Sequence, residues 1–205
     1  MMITSYKQFF SATFKAPIHW SARLTLKCGF NANTVTLLAL LLAIAASAML
    51  MVTENFLWFA YAVAGIGYLD LLDGAVARAS NTCSRFGAYF DAMCDRIVDA
   101  VTVFAIAWVS GLWPLCFAYV IGSLLVSYAK SRAAMEVSVS NTSWPDLMER
   151  TERFILFTAI LLAYGLFPDF LIAGYSILVW GLVVSCALIY LTLVQRWHRA
   201  WRLLQ

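Results

Sequence analysis

The sequence predicts an all-α integral membrane protein, with six transmembrane helices preceded by an N-terminal amphipathic helix lying on the membrane surface. Three observations carry this expectation. Of 205 residues, 63% are hydrophobic and 12% charged, whereas soluble domains carry about a quarter charged residues. Six stretches approach or exceed the about 20 mostly apolar residues that one crossing requires. The basic residues all fall at one set of ends of those stretches. No polar linker or low-complexity tract marks a second domain. Residues 1–205 therefore read as one membrane domain, with 1–30 as an interfacial segment and 31–205 as a six-helix bundle.

Residues 4–16 set Phe9, Phe10 and Phe14 among Lys and Ser, a composition suited to a helix in the interface plane. Pro17 is expected to end that helix and Trp20 to anchor at headgroup level. A secretory leader is not expected, because the apolar run begins only near Val35 and continues past the small residues at 43–48. The spans are expected at about 34–53, 55–79, 88–110, 113–135, 150–167 and 169–194. Gly65 and Gly67 in the second span read as helix-packing residues.

The connections TEN, SGLWP and GLFPD contain no Lys or Arg. All fourteen basic residues lie at the opposite ends: Lys7, Lys15, Arg23 and Lys27; Arg78, Arg85 and Arg96; Lys130, Arg132, Arg150 and Arg153; Arg196, Arg199 and Arg202. An even number of spans puts both termini on that side, and the positive-inside rule makes it the cytoplasm. Five cysteines without ligand spacing read as buried thiols rather than a metal or disulfide framework. His19 and His198 are far apart, so a histidine site is not expected.

Five aspartates, Asp70, Asp73, Asp91, Asp95 and Asp99, fall in or beside predicted spans, and acids there are costly enough to mark function. Asp70 and Asp73 are three apart, Asp91 and Asp95 four apart, so each pair shares a helix face. Two helices joined near 79–86 run antiparallel and bring these carboxylates together at the cytoplasmic face. Such a group repels itself unless cations intervene, and oxygen-only ligands suit Mg²⁺ or Mn²⁺. Two ions sharing bridging carboxylates balance the charge and offer a seat for phosphoryl oxygens. Gly74, Ala77 and Gly87 shave the same faces, and Arg78 adds a cation for a phosphate oxygen. The pattern describes a pocket for a metal-bound nucleotide diphosphate.

The run from Asp70 to Asp95 reads D-x2-D-G-x2-A-R-x8-G-x3-D-x3-D and resembles the signature of the CDP-alcohol phosphotransferase family. Asp70, Asp73, Gly74, Ala77, Arg78, Gly87, Asp91 and Asp95 fill every fixed position. Asn33 and Thr36 in NANTVTLL are similar to the family's Asn-x-x-Thr entry into its first helix. The resemblance implies six transmembrane helices, a homodimer, and metal-dependent transfer of a substituted phosphate from a CDP-lipid (CDP-diacylglycerol or CDP-archaeol) to an alcohol, releasing CMP. It further implies that Asp70, Asp73 and Asp91 are metal ligands. Asp95 would complete the metal site and act as general base. Asp70, Asp73, Gly74, Ala77, Arg78, Gly87, Asn33 and Thr36 would form the CDP site. Asp99 lies outside the signature, as a supporting group or a helix-surface charge.

The acceptor is addressed by a second set of cations. Lys130, Arg132, Arg150, Arg153 and Arg196 stand at predicted cytoplasmic ends and suit a phosphate carried by the alcohol. ERTER at 149–153 resembles the opening of the fifth helix in phosphatidylinositol-phosphate and archaetidylinositol-phosphate synthases. Against that subgroup, Lys130 replaces an Arg, Ala134 stands in place of a Glu, and the loop with Trp144 and Pro145 lacks the usual glycines. Inositol phosphate is the leading acceptor, with glycerol 3-phosphate and serine as rivals within the same chemistry. A cation transporter and a non-catalytic lipid-binding protein are the readings from other classes. The transporter predicts acids at mid-bilayer in two repeated halves, which this sequence lacks. The expected partners are the CDP-lipid, a small polar alcohol, membrane lipids and a second copy of the chain, with no nucleic acid.

Overall fold

The structure is a computed structural model that describes residues 17–136 and 147–205. Residues 4–16, expected on the membrane surface, and Trp144 and Pro145 lie outside the described residues. In chain order the elements are α1 (residues 17–27), α2 (Ala32–Thr53), α3 (Phe56–Ala79), α4 (Arg85–Ser110), α5 (Trp113–Glu136), α6 (Arg150–Leu166), β1 (Leu171–Ile172), β2 (Tyr175–Ser176) and α7 (Ile177–Leu203). Helices α2, α3, α5 and α7 are long and apolar enough to cross a membrane. Helix α4 has the length, but its acids interrupt the apolar run, and α6 has 17 residues.

Local chemistry sets the boundaries. Asn31 caps α2, its Oδ1 accepting from the Thr34 N–H at 2.9 Å, and Asn55 caps α3 through the Trp58 N–H at 3.0 Å. Gly29, at φ 80°, closes α1 with the Phe30 N–H bonded to the Thr25 carbonyl and its own N–H to Leu26. The same paired closure ends α3, with Asn81 at φ 54° in the left-handed position. Pro17 was expected to end a helix over 4–16, which lies outside the described residues. The proline is itself helical, and the helix continues through residue 27, because a proline in a first turn lacks only an N–H that has no intrahelical acceptor there.

The described chain forms two compact units. Unit 1 contains the chain up to Ala45 and the segment Ala64–Val98. Its core is Ala22 from α1, Val35 from α2, and Leu72, Ala75 and Val76 from α3, with Ile18 and Leu26 packed against them. The Ser21 hydroxyl bonds the Tyr68 hydroxyl at 2.6 Å, tying α1 to α3 two residues before Asp70. Among the described residues, a Cβ on Gly65 would meet nothing within 4 Å.

Unit 2 contains Ala46–Val63 and Asp99–Gln205. Here α7 packs on α5 and α6, and glycines permit the approach. A Cβ on Gly122 of α5 would lie 2.7 Å from the Ile189 side chain, and one on Gly181 of α7 would lie 2.5 Å from Ile160. A close approach to backbone joins α6 to α3, where a Cβ on Gly165 would lie 2.6 Å from the Leu57 Cα.

The last span begins later than its hydropathy indicates. Residues 169–176, expected as the start of a helix, instead carry an antiparallel hairpin pairing Leu171 with Ser176 and Ile172 with Tyr175. Ala173 and Gly174 turn it at φ 51° and 82°, the two positive values of a type I′ turn. The Trp180 indole N–H donates to the Ile172 carbonyl at 2.8 Å and holds the hairpin to the first turn of α7.

Candidate metal and nucleotide site

Unit 1 gathers the acids. Asp70 on α3 and Asp91 and Asp95 on α4 bring one carboxylate oxygen each within 4.8 Å of one another. Asp95 is buried, and the other two are half-buried. Spacing explains the convergence: four residues separate Asp91 from Asp95, so both project from one face of α4. Among the described residues this is a set of three oxygen donors of like charge, which a hard divalent cation satisfies and which nothing softer suits. The residues present therefore fit Mg²⁺ or Mn²⁺.

Asp73 stands apart from that three-way group. It is buried, and its Oδ2 accepts a 2.7 Å hydrogen bond from the Thr36 hydroxyl on α2. It remains within electrostatic reach of Asp91 and Asp70. Asp99, one turn beyond Asp95, is half-buried and is not in the cluster.

The small residues have visible neighbours. The Arg78 guanidinium folds over Gly74, with Nη1 3.2 Å from the place of a Cβ. At Gly87 the corresponding neighbours are the Ser84 Oγ at 3.1 Å and the Asn33 Oδ1 at 3.2 Å. Ser84 caps α4, accepting from the Gly87 N–H at 2.9 Å. Sequence reasoning passed over Ser84, although a serine just before a helical acid pattern is a start signal. Ala77 is half-buried on α3, one turn past Asp73.

The cations expected to meet an acceptor phosphate lie in unit 2 and are variously engaged. Lys130 is half-buried near the end of α5, and Arg132 pairs with Glu136 one turn along the same helix. Arg150 opens α6. Arg153 is buried, and its Nη1 donates to the Met148 carbonyl at 3.1 Å. Arg196 is buried on α7 and donates to the Val126 carbonyl of α5. The last two are anchored to backbone, a role that their charge alone did not reveal.

The chain is 31% identical over 189 residues to the archaetidylinositol phosphate synthase of Pyrococcus horikoshii, covering 91% of this chain and 92% of that protein. Its fold matches crystal structures of the phosphatidylinositol phosphate synthase of Mycobacterium tuberculosis at 28% identity. The form with CDP-DAG bound gives a TM-score of 0.76, covering 90% of this chain and 93% of that one. The complex with manganese and citrate gives 0.77, covering 90% and 88%. The profile of the CDP-alcohol phosphatidyltransferase family matches residues 30–195, a span that holds every acid of the cluster, and the chain belongs to that family.

Proposed function

We propose that this chain is an integral membrane transferase of phospholipid synthesis that moves a phosphatidyl-type group from a CDP-lipid to inositol phosphate, releasing CMP. The observation that carries the reading is the convergence of Asp70, Asp91 and Asp95 from two helices within 4.8 Å. The inositol phosphate acceptor is supported by the activities of the relatives, which fit it better than the glycerol 3-phosphate, serine, transporter or non-catalytic alternatives.

In this reading Asp70, Asp73, Asp91 and Asp95 hold two Mg²⁺ or Mn²⁺ ions. When bound, such ions neutralise pyrophosphate charge and stabilise the departing CMP. Asp95 takes the proton of the acceptor hydroxyl as that oxygen attacks the lipid-bearing phosphorus. The bond from phosphorus to the bridging oxygen breaks, and CMP leaves with the electron pair. Its burial removes Asp95 from competing water. Arg78 meets a phosphate oxygen, while Gly74, Ala77, Gly87 and Asn33 line the nucleotide. Lys130, Arg132, Arg150, Arg153 and Arg196 receive the acceptor phosphate. Six spans, an N-terminal interfacial helix, a cytoplasmic site with both termini on that side, and a homodimer complete the proposal. The complete separation of basic residues to one set of helix ends supports the orientation.

The test is CMP release by purified protein with Mn²⁺ and CDP-diacylglycerol or CDP-archaeol, across inositol phosphate, glycerol 3-phosphate, serine and inositol. Release with inositol phosphate, lost in Asp95→Asn, is expected. Release with another acceptor alone would overturn the acceptor assignment, and no release with any pair would overturn the reaction.

A further inference from the structure

The contact between Thr36 and Asp73 carries an inference about how the metal site is set. Thr36 lies one turn into α2, and its hydroxyl has two acceptors in range: its own helix's Ala32 carbonyl at 3.1 Å and the Asp73 Oδ2 at 2.7 Å. A hydroxyl has one proton to give. The shorter contact, to a carboxylate, is the stronger. The Ala32 carbonyl is the competing acceptor for the same proton, and the β-branched side chain leaves a helical threonine few rotamers in which to make either bond. Both residues are buried, at 6% and 5% exposure, so water does not substitute for this bond.

Asp73 is one turn along α3 from Asp70, yet its carboxylate is outside the close group of Asp70, Asp91 and Asp95. The bond from α2 engages one of its oxygens and sets the rotation of the whole group. Asn33, three residues before Thr36, places its Oδ1 against Gly87 on α4. The first turns of α2 thus touch both acid-bearing helices at their small or acidic positions. We infer that Thr36 is a positioning residue for the metal site, acting through Asp73 rather than on the nucleotide, by holding the Asp73 carboxylate in the orientation a divalent cation requires.

The inference rests on the metal-dependent reading above, so its test separates the two. Mn²⁺ binding to the purified, nucleotide-free protein is measured by electron paramagnetic resonance for wild type, Thr36→Val, Thr36→Ser and Asp70→Asn. Valine keeps the shape and removes the donor; Thr36→Ala serves the same comparison if valine disturbs folding, judged by thermal midpoint and elution volume. Loss of an outer hydrogen bond to a metal ligand weakens affinity by about tenfold or more. Thr36→Val is expected to show that loss, Thr36→Ser to recover it, and the KM for CDP-lipid at saturating Mn²⁺ to stay at the wild-type value. Unchanged Mn²⁺ affinity in Thr36→Val, with Asp70→Asn weakened, would overturn the inference and leave the metal site standing. A raised KM for CDP-lipid alone would return Thr36 to the nucleotide. Absence of saturable Mn²⁺ binding in wild type would overturn the metal reading and the inference with it.

Discussion

The Asn33 Oδ1 lies 3.2 Å from the point where a Cβ on Gly87 would stand, and the Ser84 Oγ lies 3.1 Å from the same point. The start of α4 is therefore packed so closely against α2 that a methyl group would fit only if these side chains gave way by a few tenths of an ångström. Replacing Gly87 by alanine gains about 1 kcal/mol of helix propensity. It also displaces the Ser84 cap, which is worth about the same. The expected result is a thermal midpoint near that of wild type together with a clear fall in CMP release, because Asp91 follows one turn later. Activity at the wild-type level in Gly87→Ala would show that the entry of α4 has slack.

Asp95 is the buried member of the acid cluster. Asp95→Asn keeps its size and removes its basicity. Turnover is expected to fall by at least about a hundredfold, with CDP-lipid still retained in a binding assay. An equal loss of binding and turnover would make Asp95 a ligand only.

Metal removal offers an independent reading. Chelation is expected to abolish activity and to lower the thermal midpoint, with Mg²⁺ or Mn²⁺ restoring both. A cation at a hundred times its dissociation constant stabilises the folded state by about 2.7 kcal/mol. Asp91→Asn should lose the thermal response, whereas a surface change such as Arg202→Gln should keep it.

Arg196 on α7 donates to the Val126 carbonyl of α5, with its side chain buried between helices that pack together. Arg196→Met fills much of the same space but removes this charged hydrogen bond between the two helices, a loss of about 1.5–3 kcal/mol. The thermal midpoint should drop by several degrees. A KM for the acceptor left at the wild-type value would limit Arg196 to this anchoring role and remove it from the acceptor site.

In the hairpin, Ala173 occupies the left-handed region at φ 51° beside Gly174 at φ 82°. That conformation costs an alanine about 1–2 kcal/mol, and asparagine tolerates it better. Ala173→Asn is expected to raise the thermal midpoint by a few degrees without altering activity. Gly174→Val should lower it.

The acid cluster was legible because Asp91 and Asp95, four residues apart, keep one face of α4, while the three-residue spacing of Asp70 and Asp73 did not show that Asp73 stands apart with Thr36. Thr36 was legible as a position but not as a donor to Asp73, since the bond spans 37 residues and nothing in hydropathy pairs them. The hairpin was missed for a different reason. DFLIAGYS joins GLFP to a long apolar helix, and a short apolar run has no period that separates strand from helix. Ala-Gly is also a weaker turn signal than Asn-Gly. Arg153 and Arg196 read as terminal charges because their carbonyl partners are set by packing and leave no trace in spacing.

The backbone approach at Gly165, where an added Cβ would sit 2.6 Å from the Leu57 Cα and 2.7 Å from its nitrogen, has a counterpart in heredity. Side chains can swing aside, but the main chain of a neighbouring helix, here the first turn of α3, cannot. In a library of every single substitution, codon 165 should accept glycine alone. Codon 65, whose glycine faces open space, should drift freely among small residues.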